Sequence, residues 1–300
     1  MPSPVEVILI PTLMIILGFI LKQTSFLQES DRDILSKIVL YIALPSMIFI
    51  NLRQATISHD MLYLPFIGLI NGFILLGIAY VYCRARNYSK KTTWTIILAT
   101  SLMNTGFIGY PVSLGVFGNE GFLNALFYDL STSILVVSYG IVLAKEFSGD
   151  RRQVIIDTVT FVPLWAMIFA FIFNIFDIQL FYVAEKILEY FAQATIPLIM
   201  LAIGLSLDYG HIKNYLSDSL VVAVFKLVVS PLIVFILLLL VNIKGVTFNT
   251  AILEAGMSTA GNALVLAVAY DLDNDMMASI IFTNVVLSLF TLTIIISLLT

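Results

Sequence analysis

Apolar residues run through this chain in stretches of about twenty, joined by short polar connections. A helix needs about 20 mostly apolar residues to cross the hydrocarbon core of a bilayer. Backbone N–H and C=O groups find no water there, so such stretches fold as helices that satisfy themselves. Ten stretches qualify, near 4–21, 34–51, 62–82, 93–117, 121–143, 155–176, 182–207, 217–241, 248–270 and 276–299. Only 11% of the residues are charged, against about 25% in soluble domains. The expectation is an all-α membrane protein with no room for a soluble domain. The N-terminal stretch lacks a basic region and a small-residue cleavage site, so it reads as a retained first span.

Lysine and arginine set the orientation. Eleven of them lie in connections on one side: Lys22, Arg32, Lys37, Arg84, Arg86, Lys90, Lys91, Lys145, Arg151, Arg152 and Lys213. Three lie on the other: Arg53, Lys186 and Lys244. The richer side is expected in the cytoplasm, which puts both termini outside a plasma membrane crossed many times. The single Cys83 excludes an internal disulfide and a cysteine metal cluster. His59 and His211 are too few for a histidine zinc site. The Asp271–Asp275 run lacks the glycine and the terminal glutamate of a calcium loop and reads as a solvated turn.

One stretch has residues that a continuous span would not choose. Asn104-Thr105-Gly106-Phe107-Ile108-Gly109-Tyr110-Pro111 lies deep in the fourth. Proline removes a backbone donor and disfavours helix in the residue before it. Glycine favours open backbone. An unwound stretch is therefore expected here. Unpaired backbone at membrane depth is tolerated where it faces protein, water or a ligand, and broken helices mark the binding sites of many carriers. The ninth stretch offers Gly256, Ser258, Thr259, Gly261 and Asn262 for a second, less marked break.

Ten spans divide as five plus five, which would insert the two halves in opposite directions. Two short matches support the division. Ile42–Ile48, around Pro45, resembles Thr195–Met200, around Pro197, at an offset of 152; Met103–Gly106 resembles Met257–Ala260 at an offset of 154. The expected organisation is a first five-helix repeat over 1–145, a cytoplasmic linker over 146–153 and an inverted second repeat over 154–300.

On these residues the chain resembles the auxin efflux carrier family, which includes plant PIN proteins and bacterial malonate- or malate-type carriers. The resemblance covers essentially the whole chain. It rests on IALPSMIF in the second stretch, NTGFIGYP in the fourth, Phe127-Tyr128-Asp129 in the fifth, TIPLIMLAIGLSL in the seventh and GNALVLAVAYDLD in the ninth. It implies ten helices in two inverted repeats, with broken helices 4 and 9 crossing, an architecture like that of sodium/bile-acid symporters and sodium/proton antiporters. It also implies organic-anion substrates and a homodimer. This chain has Ser258 and Gly261 where family members commonly place prolines.

The residues point to a secondary carrier for a small organic anion, such as a carboxylate, working by alternating access around the helix 4/9 crossing. The expected substrate site is Asn104, Gly106, Gly109, Tyr110, Pro111, Gly261 and Asn262. Asparagine amides both donate and accept, and half-helix N-termini supply positive partial charge. Asp129 lies eight residues after Gly121, about 12 Å into its span. It reads either as a coupling carboxylate or as a hydrogen-bonded structural acid. Lys226 and Glu254 are further coupling candidates; Lys226 could equally snorkel to the interface. Coupling to H+ or Na+ stays open, so a sodium-coupled symporter or a cation/proton antiporter of the same architecture is the alternative. Adjacent aspartates would favour the antiporter, and the crossing has none. The chain lacks the paired aspartate motifs of membrane prenyltransferases and aspartyl proteases and the HExxH of metalloproteases. It is not expected to be an enzyme, to carry a cofactor or metal, or to bind nucleic acid. Its partners are the solute and the lipid bilayer.

Overall fold

The structure, a computed structural model, describes residues 4–28, 30–147, 149–207 and 212–300. His211 lies outside them. In chain order the helices are α1 (Pro4–Gln23), α2 (Asp31–Ile38), α3 (Leu44–Leu52), α4 (Leu64–Ala85), α5 (Lys90–Ser101), α6 (Tyr110–Glu146) and α7 (Arg151–Val159). They continue as α8 (Val162–Ile175), α9 (Tyr182–Ser206), α10 (Ile212–Val224), α11 (Ser230–Leu240), α12 (Gly245–Ala255), α13 (Gly261–Ala269) and α14 (Asn274–Leu299). The chain forms two compact units. The first takes Met1–Ile8, Ser58–Val154 and Asp208–Thr300; the second takes Leu9–Ile57 and Ile155–Leu207.

The helices do not make ten spans. Among the described residues six are long and apolar enough to cross a membrane: Asp31–Leu52, His59–Ala85, Thr105–Glu146, Tyr182–Ser206, Lys213–Leu240 and Asn274–Leu299. The pair Arg152–Val159 and Val162–Ile175, bent by 45°, makes a seventh if taken as one span. Six or seven spans do not divide into two inverted sets of five, so the expected ten-helix inverted repeat is corrected. The reasons are local. The expected fourth and ninth stretches are divided, leaving α5, α12 and α13 with 12, 11 and 9 residues, short of the ~20 a crossing needs. The apolar part of α1, Ile8–Gln23, falls in the same short class. The expected fourth and fifth stretches share one helical run, Thr105–Glu146.

That run folds back on itself. Gly118 has φ 65° and ψ −157°, a region essentially closed to residues with a Cβ. Thr105 and Asp129 are 24 residues apart yet hydrogen-bonded; a straight helix would separate them by about 36 Å. Gly118→Ala is therefore expected to cost about 1–3 kcal/mol, read as a lower thermal unfolding midpoint in detergent. An unchanged midpoint would mean that the reversal does not depend on this conformation.

Three wide π-helical turns, Val39–Ala43, Thr105–Gly109 and Phe225–Val229, each precede a proline by two residues: Pro45, Pro111 and Pro231. A proline has no N–H to give and its ring crowds the carbonyl four residues back. Widening the preceding turn accommodates both. Helices α4, α8, α11 and α13 end alike. Asn87, Asp177, Asn242 and Asp271 take left-handed φ of 54°, 48°, 56° and 48°. The next N–H reaches back to Cys83, Phe173, Leu238 and Ala267 respectively, the capping geometry that ends a helix cleanly.

The first unit packs around α5. Ile96, Ile97, Leu98, Ala99 and Leu102 are buried with Leu135 and Tyr139 of α6 and with Met276, Met277 and Ile280 of α14. The outer face of α4 carries exposed Phe66, Ile70, Phe73 and Ile74, while Ile67, Asn71 and Leu75 turn inward. An apolar outer face around a polar-containing interior suits lipid rather than water. At the other end of α5, Ser89 caps the helix by accepting from Thr92 N–H at 3.1 Å. Lys91 pairs with Asp271 at 2.5 Å and, by that hydrogen bond and charge, holds its carboxyl below the usual range.

Candidate functional site at the helix crossing

In the first unit the chain leaves helix at two places that meet. After α5, Leu102 to Asn104 are non-helical; between α12 and α13, Gly256 to Ala260 are non-helical. Met103 and Thr259 pair as an isolated antiparallel bridge. Asn104 N–H donates to Ser258 O at 2.9 Å, and Ala260 N–H donates to Leu102 O at 3.1 Å. The unwound segment is thus shorter than Asn104–Pro111 and begins earlier. Gly106 and Gly109 lie in the wide turn Thr105–Gly109, and Pro111 sits in the first turn of α6. The reason is local: the wide turn before Pro111 takes up its missing N–H and its ring, so the helix runs through the proline instead of breaking there.

Three carbonyls at and just after the C-terminal end of α5 are answered by two side chains. Thr259 Oγ1 donates to Ala99 O at 2.8 Å. Lys226 Nζ donates to Thr100 O at 3.2 Å and Leu102 O at 2.6 Å. Lys226 is fully buried, so it neither snorkels to the interface nor spends these bonds on an acid. Asn284 of α14 holds Thr259 in place, its Nδ2 donating to Oγ1 at 2.8 Å. The end of α12 is treated similarly. Ser230 Oγ donates to Ala255 O at 2.7 Å, and Asn71 Nδ2 donates to Ser230 Oγ at 2.9 Å.

The helix starts beyond the crossing are left open. Asn104 O accepts from Ile108 N–H and Gly109 N–H at 3.2 and 3.0 Å. The N–H groups of Thr105, Gly106 and Phe107 have no acceptor among the described residues, nor do those of Gly261 and Asn262 at the start of α13. Space is open beside both glycines: a Cβ built on Gly106 or on Gly261 meets nothing within 4 Å. Gly261 and Asn262 are exposed, and Asn104 is 7% exposed. Two sets of unpaired N–H groups, with open space beside a glycine in each, can hold an anion without an arginine.

The two acids sit on one side of this frame. Asp129 accepts from Tyr110 OH at 2.7 Å and from Thr105 Oγ1. Glu254, in the last turn of α12, is fully buried and accepts from Ser113 Oγ at 2.6 Å. Its carboxyl lies against Gly109, where a Cβ would come within 2.0 Å of Oε2. Tyr110 is buried edge-on to Phe122 at 5.4 Å, and Pro111 and Gly109 are buried too. Asn104, Gly106, Gly261 and Asn262 therefore flank the open helix starts, while Gly109, Tyr110 and Pro111 back them from inside. No role for Asn71, Ser113 or Asn284 was legible in the sequence, which offered Thr259 only as part of the second break. Among the described residues no group of three or more His, Cys, Asp or Glu side chains could hold a metal ion.

The sequence profile of the membrane transport protein family matches residues 5–296. An uncharacterized transporter of Methanothermobacter thermautotrophicus is 36% identical over 289 residues, covering 96% of this chain and 95% of that protein. An uncharacterized transporter of Methanocaldococcus jannaschii is 34% identical over 294 residues, covering 95% of this chain and 96% of that protein. With its apolar outer faces and membrane-length helices, the chain is a multi-pass integral membrane protein, and it belongs to the membrane transport protein family.

Proposed function

We propose that the chain is a secondary carrier for a small organic anion, a carboxylate, within the auxin efflux carrier group of transporters. The solute's oxygens take the unpaired N–H groups of Thr105–Phe107 and of Gly261 and Asn262, and the amides of Asn104 and Asn262 add contacts. Alternating access around the crossing carries the solute through a plasma membrane whose cytoplasmic side is the lysine- and arginine-rich one. The observation behind this reading is the pair of helix starts that have unpaired N–H groups and open space beside Gly106 and Gly261. Lys226 serves the reading indirectly, by holding the end of α5 and with it the start of the next helix.

The test is flux of labelled acetate, malonate and succinate into vesicles holding the purified protein. Asn104→Ala and Asn262→Ala are each expected to lower uptake about tenfold, the loss of one hydrogen bond to a charged group, with folded protein retained. Wild-type uptake in both variants would remove these residues from the site. Failure of every carboxylate to move would end the carboxylate reading.

A further inference from the structure

Glu254 has a free valence that the frame of the crossing does not use. Its Oε1 accepts from Ser113 Oγ. Its Oε2, fully buried, has no hydrogen-bond partner among the described residues. The titratable groups around it are the carboxyl of Asp129 and the phenols of Tyr110 and Tyr128. None of them carries positive charge. Lys226, on the turn before α11, gives its protons to the carbonyls of Thr100 and Leu102. Asp129 already takes two hydroxyl protons, from Thr105 and Tyr110. Of these two acids, Glu254 is the one with an oxygen that has no partner among the described residues. The other elements packed on α12, namely α4, α11 and α14, bring Asn71 and Ser230 to the end of α12, as amide and hydroxyl.

A buried carboxyl in this position needs its charge neutralised for at least part of its working cycle. Two monovalent cations could do so. A metal cation needs several oxygens around it, and the backbone of Gly109 closes one side of Oε2: a methyl there would overlap it at 2.0 Å. A proton needs no such space. The same contact puts the carboxyl against the turn Thr105–Gly109, which carries the unpaired N–H groups.

We infer that Glu254 is the proton carrier of this transporter, and that it makes the protein a proton/carboxylate symporter. The inference rests on the carboxylate reading of the crossing. With Glu254 ionised, its negative charge lies against the same turn that would bind the solute anion, and the two anions compete. Taking a proton from water on the open side onto the carboxyl removes the competitor. The anion then binds; when the site opens on the other side, the O–H bond breaks, the proton returns to water there and the anion leaves. No other bond changes. Linkage makes the effect mutual: bound carboxylate favours proton uptake as much as the proton favours carboxylate.

The experiment uses vesicles holding the full chain with a pH-sensitive dye inside, given labelled malonate outside. Uptake is expected to acidify the interior. On the alkaline limb the apparent affinity is expected to fall about tenfold per pH unit, the mark of one coupled proton. Glu254→Gln, which cannot exchange a proton, is expected to flatten the pH profile and stop the acidification; Glu254→Asp is expected to restore part of both. Uptake without acidification, uptake driven by a sodium gradient at constant pH, or a wild-type pH profile in Glu254→Gln would each overturn the inference while leaving the carboxylate reading intact. If no carboxylate moves, that reading fails, and difference infrared spectra decide on Glu254 separately. They should show a protonated-carboxyl C=O band that titrates in the wild type and is missing in Glu254→Gln. Its absence from the wild type would remove Glu254 as a proton carrier.

Discussion

Gly204→Leu is expected to leave almost no folded protein. In the second unit α1 and α9 touch backbone to backbone at Gly18 and Gly204. A Cβ on Gly204 would lie 2.2 Å from Ile15 O, 2.7 Å from Phe19 N and 2.8 Å from Gly18 Cα. A Cβ on Gly18 would lie 2.5 Å from Leu201 O. All four obstacles are backbone, so no side chain can swing aside and the helices themselves must part. In a bilayer, helix association draws on close packing rather than on expulsion of water, and small residues are what allow it. Overpacking a filled contact costs about 1–3 kcal/mol even for small groups. An isobutyl group wedged between two backbones exceeds that range and also removes the contact around it. Gly204→Ala should fall within it, and Gly18→Ala should be milder. Gly77 in α4 supplies the control: its Cβ would meet nothing within 4 Å. There Gly→Ala should be neutral or stabilising by up to about 1 kcal/mol through helix propensity. Monodispersity and thermal midpoint in detergent measure all four variants. A monodisperse Gly204→Leu with the wild-type midpoint would mean that α1 and α9 do not meet there.

The apolar stretches of the sequence announce a helical membrane protein, because nothing else satisfies backbone in hydrocarbon. The class of fold was legible for that reason. The number of spans was not. A window of apolar residues does not tell one crossing helix from two short ones meeting at a break, as α12 and α13 do. The first break was placed too late for a related reason. Gly106, Gly109 and Pro111 read as helix breakers in isolation, yet a widened turn before the proline lets the helix run on through it. Lone asparagines were the least legible. Asn71, Asn174 and Asn284 look alike in an apolar context. Asn71 supports the end of α12 through Ser230, and Asn284 holds Thr259. Asn174 donates to Leu52, Arg53 and Ala55 carbonyls at the end of α3. Their partners lie 25 to 159 residues away along the chain, and no local pattern encodes such distances. What could be read is that a polar residue inside a span must have a partner; which partner only the fold decides. Glu254 makes the same point with larger consequence, because its burial depends on Gly109 and Ser113 from a different helical run.

The second large effect separates the open side of the crossing from its packed side. Gly106→Val is expected to lower carboxylate uptake more than about tenfold, a loss of roughly 1.4 kcal/mol or more, with the thermal midpoint unchanged. A Cβ at Gly106 has open space before it, so the fold has no reason to resist the substitution. The residue's own N–H is among those left without an acceptor. An isopropyl group would therefore stand where a solute oxygen must approach. Gly261→Val should act the same way at the start of α13, where the space is also open. Gly109→Ala reports on the packed side. Its methyl would overlap the Glu254 carboxyl, so stability and uptake should fall together. The pattern across the three variants carries the argument: loss of transport without loss of stability at Gly106 and Gly261, and loss of both at Gly109. Wild-type uptake in both valine variants would mean that solute does not approach the helix starts. A loss at only one of them would place the solute against a single half-helix, and the pairing of α5–α6 with α12–α13 would then serve to brace the fold rather than to share the anion.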